Sequence, residues 1–275
     1  MSETIHPFKD KRMALLKYEP IELMGLVYYP ITVADLDKWQ AVKPVLCLRQ
    51  GTLPAAYACM TYLQCVWALS RSATADDDGH VELWNALLSI LFLSLRLSDS
   101  DEIQAIGQSA SPQTLTSIRI IKDGQEHEIT PLEFLQVRKL IAEQNGAELP
   151  DEADNPELVE AAIDMQNSEE VKLEYREADY VTSIASAKGL RRKDLFDWPI
   201  KELEDEAKAL RRRYGYFLAS IAESQGAKFT GGNPYPSWMF DRTKDEYAGL
   251  ISMDALQQEH HAQIRESDTA PAQNI

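Results

Sequence analysis

The sequence predicts an α+β protein that is predominantly helical, with a small antiparallel sheet in its N-terminal half. Three observations predict this class. Apolar residues recur at helical spacing in several long stretches, short strand-like runs flank an Asp123-Gly124 turn, and a length of 275 residues allows an ample core. The hydrophobic and charged fractions, 44% and 26%, are those of an ordinary globular protein.

The most clearly marked helix is predicted between Thr130 and Gly146. Thr130 is placed to cap the first turn, and Glu133 is placed to bond back to the cap. Pro131 stands where a missing N–H costs nothing, and Gly146 suits the left-handed residue that ends a helix. Four apolar residues fall on one face, so this helix needs a covering layer: Phe134, Val137, Leu140 and Ile141.

Two further helices are predicted before residue 75. Thr32 and Asp35 have the spacing of a capping box, which predicts a short helix over residues 33–41. Residues 54–70 predict a second helix that is apolar on nearly every side, and such a helix is buried on most of its faces.

Residues 75–97 hold a polar break and then the strongest apolar run. Residues 75–80 contain three adjacent aspartates, but they lack the alternating ligands and terminal glutamate of a calcium loop, so we expect a solvated loop. Helix is predicted over residues 81–90, and the alternation of leucine with other residues over 91–97 predicts a strand. Charged and polar residues interrupt the run, which therefore falls short of a membrane span.

A small sheet is predicted directly before the helix that begins near Thr130. Residues 102–107 and 114–122 read as strands, and the Asp123-Gly124 turn leads into a third strand that ends at Thr130. His127 and Glu128 lie on this last strand. We expect them to be solvated, because such a pair on an exposed hairpin is rarely catalytic.

Composition divides the chain into four predicted regions. These are a mixed helical and small-sheet domain at residues 1–146, an acidic connector at 147–156, a helical domain with an aromatic loop at 157–265, and a disordered tail at 266–275. In the third region, three helices are predicted. The first covers residues 157–166, the second follows it and ends at Lys188-Gly189, and the third covers residues 199–225 and ends at Gly226.

The formal charge of −16 is unevenly spread along the chain. Residues 143–179 contain thirteen acidic residues against two basic ones, a net of −11, whereas residues 188–213 contain nine basic residues against six acidic ones, a net of +3. Most of such a surface repels phosphates, so the whole molecule is not expected to bind nucleic acid non-specifically. Local binding by the basic block stays open.

The three cysteines, Cys47, Cys59 and Cys65, lie in apolar surroundings and have no CxxC spacing. A disulfide framework or a zinc site has a different pattern, so we expect a reduced, intracellular protein. Residues 1–12 contain no apolar run of the kind that signal peptides carry.

The arrangements that enzymes require are incomplete in this sequence. It has no GxxxxGK[ST] phosphate loop, no HExxH zinc motif and no GxSxG nucleophile turn. His260 and His261 would point about 100° apart on a helix, which is poor for chelating one metal ion. We therefore expect a non-enzymatic protein with no catalytic residue, no cofactor and no metal.

The strongest local pattern is Ala185 followed by Gly189-Leu190, the small-residue and tight-turn spacing of a helix-turn-helix. Its second element is short and acidic, which favours a helical hairpin used for packing. A DNA-binding regulator that uses the basic segment 188–193 stays the alternative function, and Arg191 and Arg192 are its candidate interaction residues.

Aromatic residues beside proline and glycine mark further candidate interaction sites. Trp198 precedes a proline, and Tyr235, Trp238 and Phe240 lie in the proline-rich stretch 228–241. We expect these side chains to act by packing or by docking a partner, because large aromatic side chains dominate both core and interface energies.

Residues 185–213, with the pattern AxxxGLxxxDLxxWPIxELxxEAxxLRRR, and residues 231–238, GGNPYPSW, resemble segments of tail-assembly chaperones and other tail morphogenesis proteins of tailed bacteriophages. The resemblance implies a non-enzymatic role, because such proteins bind the tape-measure protein or become parts of the tail or baseplate. It implies tail or tape-measure partners, with a homo-oligomer as an option, and no membrane. It also implies the host cytoplasm or the virion as location, and the acidic block 143–179 and the aromatic loop as interaction surfaces.

Overall fold

The computed structural model describes residues 7–72, 79–108, 111–150, 176–229 and 233–240. The chain divides into two compact units, and the first, residues 1–153 and 174–241, contains every described residue. The second unit, residues 154–173 and 242–275, lies outside the described residues, as do the predicted helix 157–166 and the predicted tail 266–275.

The described chain is a predominantly helical α+β structure, as predicted. Its helices are α1 (Pro7–Leu16), α2 (Leu36–Leu46), α3 (Ala55–Ala58), α4 (Tyr62–Ser72), α5 (Gly79–Leu95), α6 (Pro131–Asn145), α7 (Glu177–Lys188) and α8 (Ile200–Ser224). Its strands are β1 (Ile21–Leu23), β2 (Leu26–Tyr28), β3 (Glu102–Gln108), β4 (Ser111–Lys122) and β5 (Gln125–Ile129). Short 3-10 turns lie at Val33–Asp35, Gln50–Thr52 and Arg192–Leu195.

Both sheets lie in the N-terminal half and are antiparallel. β1 pairs with β2, and the larger sheet has the order β3-β4-β5. Asp123 and Gly124 have φ values of 51° and 76°, which is the mirror-image turn that fits the twist of a two-residue hairpin. Ile118 and Ile120 on β4 and Ile129 on β5 are fully buried, so the predicted sheet is confirmed and packs one face on the core.

Helix α6 begins and ends where its signals predict. The Thr130 side chain accepts a hydrogen bond from the backbone N–H of Glu133, whose carboxylate accepts one from the Thr130 N–H at 2.9 Å. Gly146 has a φ of 69° and ends the helix in the left-handed conformation. All four predicted face residues are buried: Phe134, Val137, Leu140 and Ile141.

The two helices predicted before residue 75 differ from expectation at their boundaries. Thr32 makes no side-chain cap, because the N–H groups of Val33, Ala34 and Asp35 already donate to backbone carbonyls. Helix α2 starts one residue after Asp35. The predicted helix 54–70 is two helices, α3 and α4. A second capping arrangement separates them, in which Gln64 accepts hydrogen bonds from the backbone and hydroxyl of Thr61.

The predicted strand over residues 91–97 is wrong, because α5 continues to Leu95. Leu91, Ser94 and Leu95 are buried at helical spacing, while other leucines of the run are half-buried on neighbouring faces. A helix covered on several sides produces the same alternation of leucines that an edge strand would. Arg96, with a φ of 51°, ends the helix. Of residues 75–80, those before Gly79 lie outside the described part.

Side chains that precede residues 151–175 in the sequence and side chains that follow them contribute to one hydrophobic core. Leu195, Ile200 and Leu203 are buried in the same cluster as Trp39 and Phe134. The predicted ends of α7 and α8 are confirmed, with Gly189 and Gly226 in the left-handed region after them. The connector predicted at 147–156 is described only to residue 150, so the predicted domain boundaries stay predictions.

Candidate partner-binding surface

Helix α8 is anchored at its N-terminus by backbone hydrogen bonds to the segment before α2. The Ile200 N–H donates to the Ile31 carbonyl at 2.9 Å, and the Trp198 carbonyl accepts from the Val33 N–H at 2.8 Å. The indole of Trp198 is half-buried against the core. Trp198, a predicted interaction residue, therefore packs at the N-terminus of α8.

One apolar face runs along α8 and passes from the core into solvent. Ile200 and Leu203 on this face are fully buried, whereas its C-terminal members are 50–68% exposed. At 1.5 Å per residue the helix of 25 residues is about 37 Å long, so its last turns extend past the core. The exposed members have i, i+3, i+4, i+7 spacing and are called the α8 stripe: Tyr214, Phe217, Leu218 and Ile221.

The segment 233–240 folds back along α8. Asn233 donates a side-chain hydrogen bond to Glu223 at 3.1 Å, and Arg212 donates one to the Trp238 carbonyl at 3.1 Å. The segment therefore runs antiparallel to α8 over about three turns. The segment lies beside the α8 stripe, because Tyr214 and Leu218 of the stripe line the same groove as Tyr235.

Tyr235 is the packing centre of this segment. Its ring lies so close to Gly215 that a Cβ at position 215 would be 2.7 Å from three ring carbons. Ala219 and Ala222 lie one and two turns further along. With Pro234, Tyr235 and the stripe members Tyr214 and Leu218 they line a groove of about 520 Å³. Small residues on this side of α8 therefore let the segment approach the helix closely.

Trp238, Met239 and Phe240 form the exposed end of the segment and are called the aromatic tip. Their exposed fractions are 53%, 53% and 72%. The Ser237 hydroxyl accepts hydrogen bonds from the backbone N–H groups of Met239 and Phe240, at 3.1 and 3.2 Å, which holds the backbone of the tip in a turn. The tip is thus an apolar surface on an anchored backbone.

The predicted basic site lies apart from the aromatic tip. Arg191 pairs with Asp194 through two side-chain hydrogen bonds of 3.0 and 2.9 Å, and these bonds lower the pKa of the Asp194 carboxyl. Arg192 begins the four-residue 3-10 turn, whose Leu195 is fully buried. The second element after Gly189 is therefore this single turn, and α7 pairs with α8 through an ion pair of 2.7 Å between Lys188 and Glu206.

The cleft between α2 and α8 collects titratable side chains. It has a volume of about 570 Å³, and its lining includes Lys43, Cys47 and Glu204. Burial raises the pKa of the Cys47 thiol and of the Glu204 carboxyl. Because a nucleophilic cysteine needs a lowered pKa, the Cys47 thiol has the opposite tuning.

His127 and Glu128, which the sequence predicts to be solvated, have different surroundings. Glu128 is exposed and accepts a hydrogen bond from the buried hydroxyl of Ser117, while the half-buried His127 lies against Gly25 of the β1–β2 turn. Among the described residues, no group of three or more histidine, cysteine or acidic side chains is placed to hold a metal ion.

The α8 stripe is the feature that sequence reasoning missed. Its apolar spacing is visible in the sequence, but spacing alone does not distinguish a buried helix face from an exposed one. Tyr235, Trp238 and Phe240 lie on one segment, while Trp198 lies about four helical turns from Trp238, at the N-terminus of α8.

Comparison with known proteins finds no matching family model, no similar curated protein and no similar solved structure. No helix in the described part of the chain is long and apolar enough to span a membrane.

Proposed function

We propose that this protein is a non-enzymatic tail-assembly or structural protein of a tailed bacteriophage, and that it acts by binding another protein through the aromatic tip. The observation that carries the proposal is the exposure of Trp238, Met239 and Phe240 on a segment that is hydrogen-bonded to α8 at both ends. Monomeric proteins rarely expose large apolar side chains in such clusters unless the cluster binds something.

The geometry of the tip suits protein binding. Interfaces depend on a few large side chains, with tryptophan prominent among them, that enter a pocket of the partner. Binding is stronger when these side chains need little ordering, and the backbone of the tip is held by Ser237 and by the contact of Tyr235 with α8. A partner therefore has to supply an apolar pocket or groove.

The resemblance of residues 185–213 and 231–238 to tail morphogenesis proteins is the support for the biological setting. On that basis the partner is a tail or tape-measure protein, and the protein acts in the host cytoplasm or becomes part of the virion. The acidic residues of the block 143–179 are a second candidate surface on the same proposal.

DNA binding through residues 188–193 stays the alternative proposal and has less support. A major-groove reader uses a full recognition helix, whereas Arg192 begins a four-residue turn and Arg191 is engaged by Asp194. Its test is duplex binding with a salt-dependent affinity that falls when Arg191, Arg192 and Lys193 are neutralised.

The experiment is affinity purification of the tagged protein from its native genetic setting, with mass spectrometry of the eluate. We expect the wild type to recover tail or tape-measure proteins in the eluate, and Trp238→Ala to recover at least tenfold less of the same proteins. Leu132→Ala is the control, because Leu132 is a comparably exposed apolar residue on α6. Equal recovery with Trp238→Ala, or recovery without any tail protein, would contradict the proposal.

A further inference from the structure

The cleft between α2 and α8, called the α2–α8 cleft, has one wall that changes from apolar to acidic to basic along α8. Ile200 and Leu203 on this wall are fully buried, and the half-buried Glu204 follows them. Lys208 and Arg211 come next and are exposed. The spacing of the five residues places them on one face of the helix. At 1.5 Å per residue, this face is about 16 Å long.

The opposite wall, on α2, has the same order of chemical groups. Leu36 is buried, Gln40 supplies an amide one turn later, and Lys43 supplies a cation one turn after that. The two walls begin at the same end of the cleft, because the Val33 N–H before α2 donates to the Trp198 carbonyl before α8 at 2.8 Å. The α2–α8 cleft therefore has an apolar end, a hydrogen-bonding middle and a basic end.

The charged groups of the cleft lie near one another without pairing. Within the part of the chain that the structure describes, no hydrogen bond and no ion pair within 4.0 Å engages four of these side chains: Lys43, Glu204, Lys208 and Arg211. Burial raises the pKa of the Glu204 carboxyl, while the nearby charges of Lys43 and Lys208 oppose the rise. These side chains are therefore close to Glu204 and still available to a bound molecule.

Gly146 lets the Glu204 carboxylate lie in the middle of the cleft. A Cβ at position 146 would be 2.6 Å from one carboxylate oxygen of Glu204, so any larger residue would displace that oxygen. The carboxylate accepts hydrogen bonds and donates none when it is ionised. The middle of the cleft therefore suits hydroxyl groups of a ligand.

The charges of the cleft favour an anionic ligand. Three basic side chains line it against Glu204 and the exposed Glu148, which is a local excess of +1 in a chain with a net charge of −16. A phosphate monoester carries a charge of about −1.5 to −2 at pH 7 and has three terminal oxygens. Lysine and arginine bind such oxygens through charge-assisted hydrogen bonds.

The volume and the order of groups narrow the organic part of the ligand. The cleft measures about 570 Å³, which lies within the range of roughly 300–1,000 Å³ typical of small-molecule sites. The apolar end suits the flat face of a ring, and the middle suits hydroxyl donors. A nucleoside monophosphate carries these groups in the same order, as base, ribose and phosphate.

We propose that the α2–α8 cleft binds a nucleoside monophosphate, with the base at the apolar end, the ribose hydroxyls donating to Glu204 and the phosphate at the basic end. This inference goes beyond the proposed function and does not depend on it. Arg211 also lines the groove beside Tyr235, but the described lining of both cavities leaves out the three residues of the aromatic tip.

Isothermal titration calorimetry of the full chain measures the binding. The probes are AMP, GMP, CMP and UMP, because the apolar end would contact a ring face that all four share. We expect a micromolar dissociation constant for at least one of them. The matching nucleoside, which lacks the phosphate, and ribose 5-phosphate, which lacks the base, should each bind at least about tenfold more weakly.

Two results of this titration would overturn the proposal. One is the absence of binding by all four nucleotides up to about 10 mM, a concentration far above a micromolar dissociation constant. The other is equal affinity for ribose 5-phosphate or inorganic phosphate, which would mean that the cleft binds anions alone.

Lys43→Met tests the basic end of the cleft. We expect the dissociation constant of the nucleotide to rise at least about tenfold, because one charge-assisted contact to the phosphate is lost. Lys38→Met is the matched control on the same helix, since the Lys38 side chain is 65% exposed and outside the lining of the cleft. Unchanged binding by Lys43→Met would place the nucleotide elsewhere.

Glu204→Met tests the middle of the cleft in combination with the 2′,3′-dideoxy form of the nucleotide. The wild type should bind the dideoxy form more weakly than the nucleotide, because two hydroxyl donors are missing. In Glu204→Met the two affinities should agree within about twofold. A difference that persists in Glu204→Met would overturn the assignment of the ribose to Glu204.

Alkylation of Cys47 tests whether the nucleotide lies in this cleft. Cys47 lines the cleft and is half-buried, whereas the exposed Cys59 at the end of α3 does not line it. Saturating nucleotide should slow the labelling of Cys47 by iodoacetamide, followed by mass spectrometry, at least about fivefold and leave that of Cys59 unchanged. Protection of neither thiol, or of both equally, would overturn the site. Neither result affects the loss of tail partners expected for Trp238→Ala, so the two proposals fail separately.

Discussion

The contact between Gly215 and Tyr235 predicts an energetic coupling that can be measured. Replacing a helical glycine by alanine ordinarily stabilises a helix by about 1 kcal/mol. Here the new Cβ would be 2.7 Å from three ring carbons of Tyr235, so the ring has to move. Overpacking of this kind costs about 1–3 kcal/mol. Gly215→Ala is therefore expected to be neutral or to destabilise the wild type by up to about 2 kcal/mol.

The same substitution should have the opposite sign when the ring is absent. In a Tyr235→Ala background nothing opposes the helix propensity, and Gly215→Ala should raise the free energy of unfolding by about 1 kcal/mol. The difference between the two backgrounds is a coupling of about 1–3 kcal/mol in a double-mutant cycle.

Urea denaturation of the four proteins, followed by circular dichroism, measures the cycle. The control is Gly189→Ala, because Gly189 lies after α7 in a left-handed conformation with open space around its Cβ position. Its cost is backbone strain alone, and it should be unaffected by Tyr235→Ala. Additivity of Gly215→Ala and Tyr235→Ala within about 0.5 kcal/mol would refute the packing of the segment on α8.

Two further predictions concern the core and α6. The buried Arg138 donates hydrogen bonds to the backbone carbonyls of Leu46 and Leu48. Arg138→Met should therefore leave both carbonyls unpaired and lower the free energy of unfolding, measured by urea titration, by about 2–4 kcal/mol. An unchanged free energy of unfolding would contradict this. Hydrogen bonds from the Thr130 N–H and hydroxyl lower the pKa of the Glu133 carboxyl. The ionised carboxylate therefore contributes stability above its unfolded pKa of about 4.3, and this contribution is lost as the pH falls through the lower pKa of the folded state. Glu133→Gln should flatten stability over that acidic range, and an unchanged pH profile would exclude this carboxylate as a cause.

The sequence predictions are accurate where the signal lies within a few neighbouring residues, and they fail where the outcome depends on distant residues. The capping box of Thr130 and the exit at Gly146 depend on residues within one turn, so α6 could be predicted to the residue. The alternation over residues 91–97 depends on what covers each side of the chain. Burial of α5 on several faces produced a strand-like pattern in a helix, which local spacing does not reveal.

Contacts between distant residues explain why the candidate surface could be predicted only in part. The aromatic residues of the segment 233–240 are visible in the sequence, and so is the spacing of the α8 stripe. That Tyr235 selects the side of α8 with Gly215 depends on a contact across twenty residues, and its geometry requires both partners to be placed. Exposure of the stripe likewise depends on where the core ends along α8.

The C-terminal half of α8 has to be stabilised by something other than the core. A helix of this length beyond its supporting layer is marginal in water, because nucleation is costly and packing supplies most helical stability. The described contacts on that half come from the segment 233–240, through Tyr235 and the bonds of Asn233 and Trp238. Any partner that pulls the aromatic tip away from α8 should therefore also destabilise these helical turns.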